Sequence, residues 1–171
     1  MKPLIERFST ALHLLLVPAC LWLLASSPWI ALYADVPADA TWIDRSHVWI
    51  GLVALPAGLL YLLACTQGGL WRTYYPWLAG EFGGLGRDLA GLARLRRPMS
   101  EGGGLFSTIE GLLLLALLAV AGTGAAWFAL PGSDAAVALR AVHIVAAQAF
   151  ALLLAAHVVA VALHLVDLFG N

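Results

Sequence analysis

Residues 135–169 read AAVALRAVHIVAAQAFALLLAAHVVAVALHLVDLF and contain only two charged side chains, Arg140 and Asp167. A helix of about 20 mostly apolar residues is enough to cross the hydrocarbon core of a bilayer, so this segment is longer than a membrane span requires. Three other apolar segments are also long enough, and they run from about residue 8 to 32, 47 to 66 and 106 to 130. The sequence therefore predicts an all-α integral membrane protein in which residues 1–171 form a single four-helix transmembrane bundle.

The composition excludes several other classes of protein. Hydrophobic residues make up 62% of the chain and charged residues 11%, whereas a soluble domain usually has about 25% charged residues. The formal net charge is −1, so no basic field indicates a nucleic-acid partner. Cys20 and Cys65 lie far apart in apolar segments. This arrangement excludes a disulfide scaffold, a zinc ribbon, a CxxC redox pair and a CxxCH site for a covalently attached cofactor.

The Lys and Arg residues predict the orientation of the chain. Seven of the nine lie in the N-terminal tail or in the long loop 67–105, and the other two are Arg45 and Arg140. The positive-inside rule therefore predicts that both termini and loop 67–105 are cytoplasmic. Within this loop, residues 81–97 have leucines at helical spacing, which predicts either a helix on the inner membrane surface or a soluble loop with some helix. The aromatic residues suited to the outer membrane interface are Trp29, Trp42, Trp49, Trp127 and Phe128.

Five histidines lie in or at the edge of the apolar segments, where ionisable residues are costly and are usually functional. His143 and His157 are 14 residues apart, which is about 21 Å along a helix and close to four whole turns. Both imidazoles therefore face nearly the same side, one toward each leaflet. By depth in the membrane, His47 can meet His143, and His13 can meet His157. Two such pairs are what two bis-histidine b-type haems require, because each iron takes one axial nitrogen from each facing helix.

Other residues are candidates for contacts with these haems. Gly51 lies one helical turn after His47, where a flat ring can approach the backbone closely. The positions of Arg45, Arg140 and Arg7 allow either pairing with haem propionates or ordinary anchoring at the membrane interface.

Two further residues are candidates for proton or quinone chemistry on the inner side. His164 follows His157 by seven residues on nearly the same helix face. It is an alternative to His157 as a ligand, a residue for proton or quinone chemistry, or a simple interfacial histidine. Ser107-Thr-Ile-Glu110 matches a capping box with Ser107 as the N-cap, and the alternative role of Glu110 is proton donation at an inner-leaflet quinone site.

The four predicted spans with these histidines resemble the bacterial cytochrome b561 family, which includes the cytochrome b subunits of membrane-bound formate dehydrogenases and hydrogenases. The segments that carry the resemblance are Arg7 to His13, Arg45-Ser-His47-Val-Trp-Ile-Gly51, Thr123-Gly124 and His143 to His157. The resemblance implies two haem b groups held by His13 with His157 and by His47 with His143. It also implies electron exchange with quinone in a bacterial inner membrane. The chain has His13-Leu14 where the family usually has His-Trp.

We therefore expect a di-haem cytochrome that carries electrons between a periplasmic donor and the quinone pool. The outer loops are mildly acidic, which suits a positively charged donor such as a c-type cytochrome. Two alternatives lie within the same family: a stand-alone superoxide:ubiquinone oxidoreductase, and a membrane-anchor subunit of a periplasmic dehydrogenase or hydrogenase. The alternatives from other classes are a metal transporter that uses its histidines as ligands and a structural membrane protein without cofactors.

Overall fold

The computed structural model of the protein describes residues 2–94 and 103–169, with side chains described for residues 4–94 and 103–162. Its helices are α1 (Lys2–Ser26), α2 (Trp42–Thr66), α3 (Trp71–Tyr74), α4 (Gly83–Leu92), α5 (Leu105–Ala129) and α6 (Asp134–Phe169). Short 3₁₀ helices occupy Ser27–Trp29, Gln67–Gly69 and Pro76–Ala79. The described ranges contain no strand.

Helices α1, α2, α5 and α6 are long and apolar enough to cross a membrane. A peptide group in hydrocarbon has no water to pair with, so a spanning segment must satisfy its own backbone hydrogen bonds. This requirement favours unbroken helices in the four apolar segments. Large apolar side chains such as Leu14, Val145 and Leu152 are exposed on these helices, as is typical of residues that face lipid. The prediction of an all-helical protein with four such helices is confirmed.

The largest differences from the predicted boundaries lie between α1 and α2. Helix α1 ends at Ser26 instead of near residue 32, because Pro28 lacks a backbone donor and disfavours helical geometry in the residue before it. Helix α2 begins at Trp42 instead of near residue 47. The Thr41 N–H donates to Asp44 Oδ2 (3.1 Å), and the Asp44 N–H donates to Thr41 Oγ1 (3.2 Å). These reciprocal bonds form a capping box that starts the helix.

The chain consists of two compact units. Unit 1 comprises Met1–Ala64 and Ala116–Ala151, and therefore contains α1, most of α2, the second half of α5 and the first half of α6. Unit 2 comprises Cys65–Leu115 and Leu152–Asn171, and contains α3, α4 and the remaining parts of the long helices.

A hydrophobic cluster in unit 1 fixes the loop that follows α1. Leu32, Trp127 and Ala136 are its buried members. Trp127 donates its indole N–H to the carbonyl of Tyr33 (3.1 Å), and Arg140 Nε donates to the carbonyl of Leu32 (2.8 Å). Trp127, one of the aromatic residues that the sequence assigns to the outer interface, thus uses both its ring and its N–H inside the protein.

Asp44 connects the same loop to the start of α2. Only 2% of this residue is exposed. Its carboxylate accepts hydrogen bonds from the N–H of Ala31 (3.0 Å), the N–H of Thr41 (3.1 Å) and the hydroxyl of Thr41 (2.6 Å). Three donors compensate the burial of the charge. The acidic character of this loop toward solvent therefore comes from the exposed Asp35 and Asp39 and not from Asp44.

In unit 2, Asp88 of α4 supplies the acceptor at the start of α5. Its Oδ2 accepts the N–H of Leu105 (2.7 Å), one of the donors that a helix leaves without an internal partner. Ser107 lies inside the helix, where its hydroxyl accepts the N–H of Gly103 (2.9 Å) and donates to the carbonyl of Gly104 (3.2 Å). The prediction of Ser107 as the N-cap is therefore wrong, because the helix begins two residues earlier and Asp88 provides its cap.

Helix α4 lies within the segment 81–97 that was predicted to be helical. It exposes Leu89 and Leu92 and ends before the end of the predicted segment. Residues 95–102, with Arg96 and Arg97, lie outside the described residues.

Replacement of Asp44 by alanine is expected to destabilise unit 1. The substitution leaves the buried N–H groups of Ala31 and Thr41 without their acceptor, at a cost of about 2–3 kcal/mol. Thermal unfolding of the detergent-solubilised protein, followed by circular dichroism, is the measurement. The matched control is Asp39→Ala, which removes an exposed carboxylate from the same loop. An equal melting temperature for the two variants would contradict this account of Asp44.

Candidate functional site

Unit 1 contains a cavity of about 440 Å³, a size typical of small-molecule and cofactor sites. Side chains from α1, α2, α5 and α6 line it, and most of them are apolar. Its polar lining residues are Ser27, His47, Arg140, His143 and Gln148. Sequence reasoning assigned no role to Gln148, because a single amide in an apolar helix carries no specific signal.

The structure brings His47 and His143 together at this cavity. Their ring centres are 6.4 Å apart and their planes make an angle of 76°. Two metal–nitrogen bonds of about 2 Å each, plus the radius of each ring, place two imidazole centres on opposite sides of one metal ion roughly 6 Å apart. The observed spacing therefore fits two imidazoles that would bind one metal ion between them.

Hydrogen bonds to the Nδ1 atoms indicate which nitrogen each ring has available. Nδ1 of His143 lies 2.9 Å from the carbonyl of Val120 and 3.3 Å from the hydroxyl of Thr123. A carbonyl only accepts, so Nδ1 of His143 carries the hydrogen and Nε2 keeps its lone pair. Nδ1 of His47 lies 2.8 Å from the hydroxyl of Ser26. An Nδ1–H bonded to the protein is the usual arrangement of a metal-ligating histidine.

Two glycines keep the cavity wall free of side chains. A Cβ on Gly124 would lie 3.1 Å from Cε1 and 3.3 Å from Nδ1 of His143, so this glycine lets the imidazole pack close to α5. Gly51 also lines the cavity, and a Cβ there would meet only Leu23 Cδ2, at 3.9 Å. The cavity therefore leaves room beside the backbone at Gly51, and contact of this glycine with a flat ligand stays a prediction.

The three candidate arginines occupy different environments. Arg140 lines the cavity, and its guanidinium carbon lies 5.8 Å from the centre of the Tyr33 ring. Arg45 is exposed and donates to the carbonyls of Ala40 (3.1 Å) and Ala38 (2.7 Å) in the preceding loop. Arg7 is exposed on α1. Arg140 is thus the one of these three that lines the cavity.

His13 has a side-chain partner in unit 1. Its Nδ1 lies 3.3 Å from the phenol oxygen of Tyr61, and the two ring centres are 5.8 Å apart. His13 is exposed on α1. His157 belongs to unit 2, where it is partly buried, so the pairing of His13 with His157 stays a prediction. The side chain of His164 lies outside the described residues.

Glu110 lies in unit 2 beside a pair of tyrosines. It is exposed on α5. Burial raises the pKa of Tyr74, and smaller contributions come from Cys65 and the charge of Glu110. A Cβ on Gly111 would collide with the carbonyl of Tyr74, so the segment after α3 packs directly on α5. Burial raises the pKa of Tyr75 to about 12.

The chain has no match among protein-family models, curated proteins or solved structures. Within the described residues, no three His, Cys, Asp or Glu side chains lie together as ligands for one metal ion. The chemistry of the site is therefore argued from its own geometry.

Replacement of Gly124 by alanine is expected to push the His143 ring away from α5. The new methyl group would lie 3.1 Å from the ring, so the ring has to shift by a few tenths of an ångström away from its bond to the Val120 carbonyl. Overpacking of this kind costs about 1–3 kcal/mol. Gly122 is the matched control on the same helix, because a Cβ there has nothing within 4 Å. Thermal unfolding should show a lower melting temperature for Gly124→Ala and no loss for Gly122→Ala. The reverse order would contradict the close packing of His143.

Proposed function

We propose that this protein is a di-haem b-type cytochrome of a bacterial inner membrane that carries electrons between a donor on the outer side and the quinone pool. The observation that carries the proposal is the His47–His143 pair, with ring centres 6.4 Å apart at a largely apolar cavity within unit 1. The resemblance of these histidines to those of the cytochrome b561 family, drawn from the sequence, also supports it.

The residues around the cavity have distinct proposed roles. His47 and His143 would hold the haem iron through their ring nitrogens, and Ser26 and Val120 contact the Nδ1 side of each ring. Arg140 contributes a positive charge at the wall, suited to a carboxylate of the ligand. A bound haem would supply a one-electron couple, while the protein sets its ligands, its orientation and its electrostatic environment.

The inner haem is proposed to take His13 and His157 as its ligands. The bond between His13 Nδ1 and the Tyr61 phenol (3.3 Å) repeats the arrangement of the other two histidines. It leaves Nε2 of His13 for coordination when Nδ1 carries the hydrogen. The spacing of 14 residues between His143 and His157 on α6 supports one haem toward each leaflet.

Haem content provides the first test. The purified protein is expected to give a reduced-minus-oxidised spectrum of b-type haem and two haems per chain by pyridine haemochrome assay. His143→Ala and His157→Ala are each expected to bind one haem, because each removes one axial ligand.

His164→Ala serves as the control for the inner site and is expected to keep both haems. Loss of one haem from His164→Ala, with both retained in His157→Ala, would overturn the proposed pairing. A folded preparation without haem, made with adequate haem supply, would overturn the proposed function. Bound zinc or copper in such a preparation would support the alternative of a histidine-based metal transporter.

The electron donor is proposed to be positively charged, such as a c-type cytochrome. Asp35 and Asp39 are exposed on the loop between α1 and α2, and these two carboxylates outnumber the single positive charge of Arg45 at the start of α2. This charge distribution favours a cationic protein over the superoxide anion. Co-purification of a large redox subunit would instead support the membrane-anchor alternative.

Glu110 is proposed to donate a proton at the quinone site, with His164 as a second candidate. Glu110→Gln is expected to lower quinone reduction at least tenfold with haem content unchanged, because positioned acids contribute about 10²–10⁴-fold to rate. Glu81→Gln is the control, since Glu81 is an exposed carboxylate paired with Arg72 (3.0 Å). Equal quinone-reduction rates in these two variants would remove Glu110 from the proposed site.

A further inference from the structure

His47 and His143, the two histidines at the cavity, have different hydrogen-bond partners at Nδ1. The partner of His143 at Nδ1 is mainly the Val120 carbonyl, which no side-chain substitution removes. The partner of His47 is the hydroxyl of Ser26, at 2.8 Å. Ser26 is the last residue of α1 and only 4% of it is exposed, so water does not compete freely for this bond.

The other contact of Ser26 favours one direction of the hydrogen bond, in which His47 donates. Its Oγ lies 3.2 Å from the carbonyl of Leu23, three residues earlier in α1. A hydroxyl has one hydrogen, and a carbonyl only accepts. When the Ser26 hydrogen goes to Leu23, the oxygen accepts from His47, so Nδ1 of His47 carries the hydrogen and its Nε2 keeps the lone pair for a ligand.

We propose that Ser26 is the positioning residue of His47, which fixes its metal-binding tautomer and lowers the reduction potential of the haem that His47 holds. The inference rests on the proposed function, because it concerns a haem ligand. An acceptor at Nδ1–H makes an imidazole a stronger electron donor to its metal. Stronger donation favours the ferric state, so removal of the acceptor raises the potential.

Ser26→Ala removes the acceptor, and Ser46→Ala is the matched control. Ser46 immediately precedes His47, and its hydroxyl likewise donates to a carbonyl three residues earlier, that of Ile43 (3.0 Å). The two substitutions therefore delete the same kind of helical side-chain bond, but Ser26→Ala also deletes the contact with His47.

Spectroelectrochemical titration of the full-length protein is the first readout. Ser26→Ala is expected to raise the midpoint potential of one haem and leave the other unchanged. A tenfold change in the ratio of ferric to ferrous binding corresponds to about 59 mV for a one-electron couple. Loss of one haem from Ser26→Ala, with both retained in Ser46→Ala, also supports the proposal, because loss of such a partner lowers metal affinity about 10–100-fold. Potentials that match those of Ser46→Ala at both haems would overturn it.

The imidazole ¹⁵N spectrum of full-length protein produced without haem supply is the second readout. His47 is expected to carry its hydrogen on Nδ1 in the wild-type chain and in Ser46→Ala, and to lose this preference in Ser26→Ala. A wild-type His47 with its hydrogen on Nε2 would overturn the proposal. A chain that binds no haem but has the expected tautomer would refute the proposed function and leave the bond between Ser26 and His47 standing.

Discussion

Polar groups removed from water must find partners inside the protein, and this constraint governs most of the described structure. In the four long helices the backbone N–H and carbonyl groups pair with one another within each helix. At two helix starts, Asp44 accepts the N–H of Thr41 and Asp88 accepts the N–H of Leu105. The same requirement applies to a buried imidazole, which needs an acceptor for its N–H. The contacts that place His47 and His143 at the cavity therefore follow from the physics that also shapes the fold.

The loop between α1 and α2 depends on long-range contacts that also reach the cavity. Arg140 lines the cavity and donates to the carbonyl of Leu32, and Trp127 lines it and donates to the carbonyl of Tyr33. The wall of the candidate site and the anchoring of this loop thus use the same side chains. A change in what fills the cavity would act directly on the residues that fix the loop.

The long-range features of the sequence predicted the fold well, whereas its local signals were less informative. The four helices follow from the length of the apolar segments, because about 20 consecutive apolar residues can cross a bilayer as a helix that satisfies its own backbone hydrogen bonds. The capping box was predicted at Ser107, but the reciprocal bonds form at Thr41 and Asp44. The two signals are equivalent in sequence. Only the tertiary structure shows that Asp88 accepts the N–H of Leu105 at the start of α5 and that Asp44 accepts the N–H of Thr41 at the start of α2.

For the candidate site too, the sequence predicted which histidines come together but not the hydrogen bonds that hold them. The pairing of His47 with His143 follows from depth in the membrane, which helical rise fixes, and the structure brings the two rings together. The acceptors of their Nδ1 atoms do not follow from depth, because Ser26 meets His47 across 21 residues and Val120 meets His143 across 23. These contacts depend on how the packed helices are rotated relative to one another, and the spacing of residues along one helix does not predict that rotation. Helical rise thus identifies residues at the same depth in the membrane. Helix packing determines which nitrogen of each ring is available to bind a ligand.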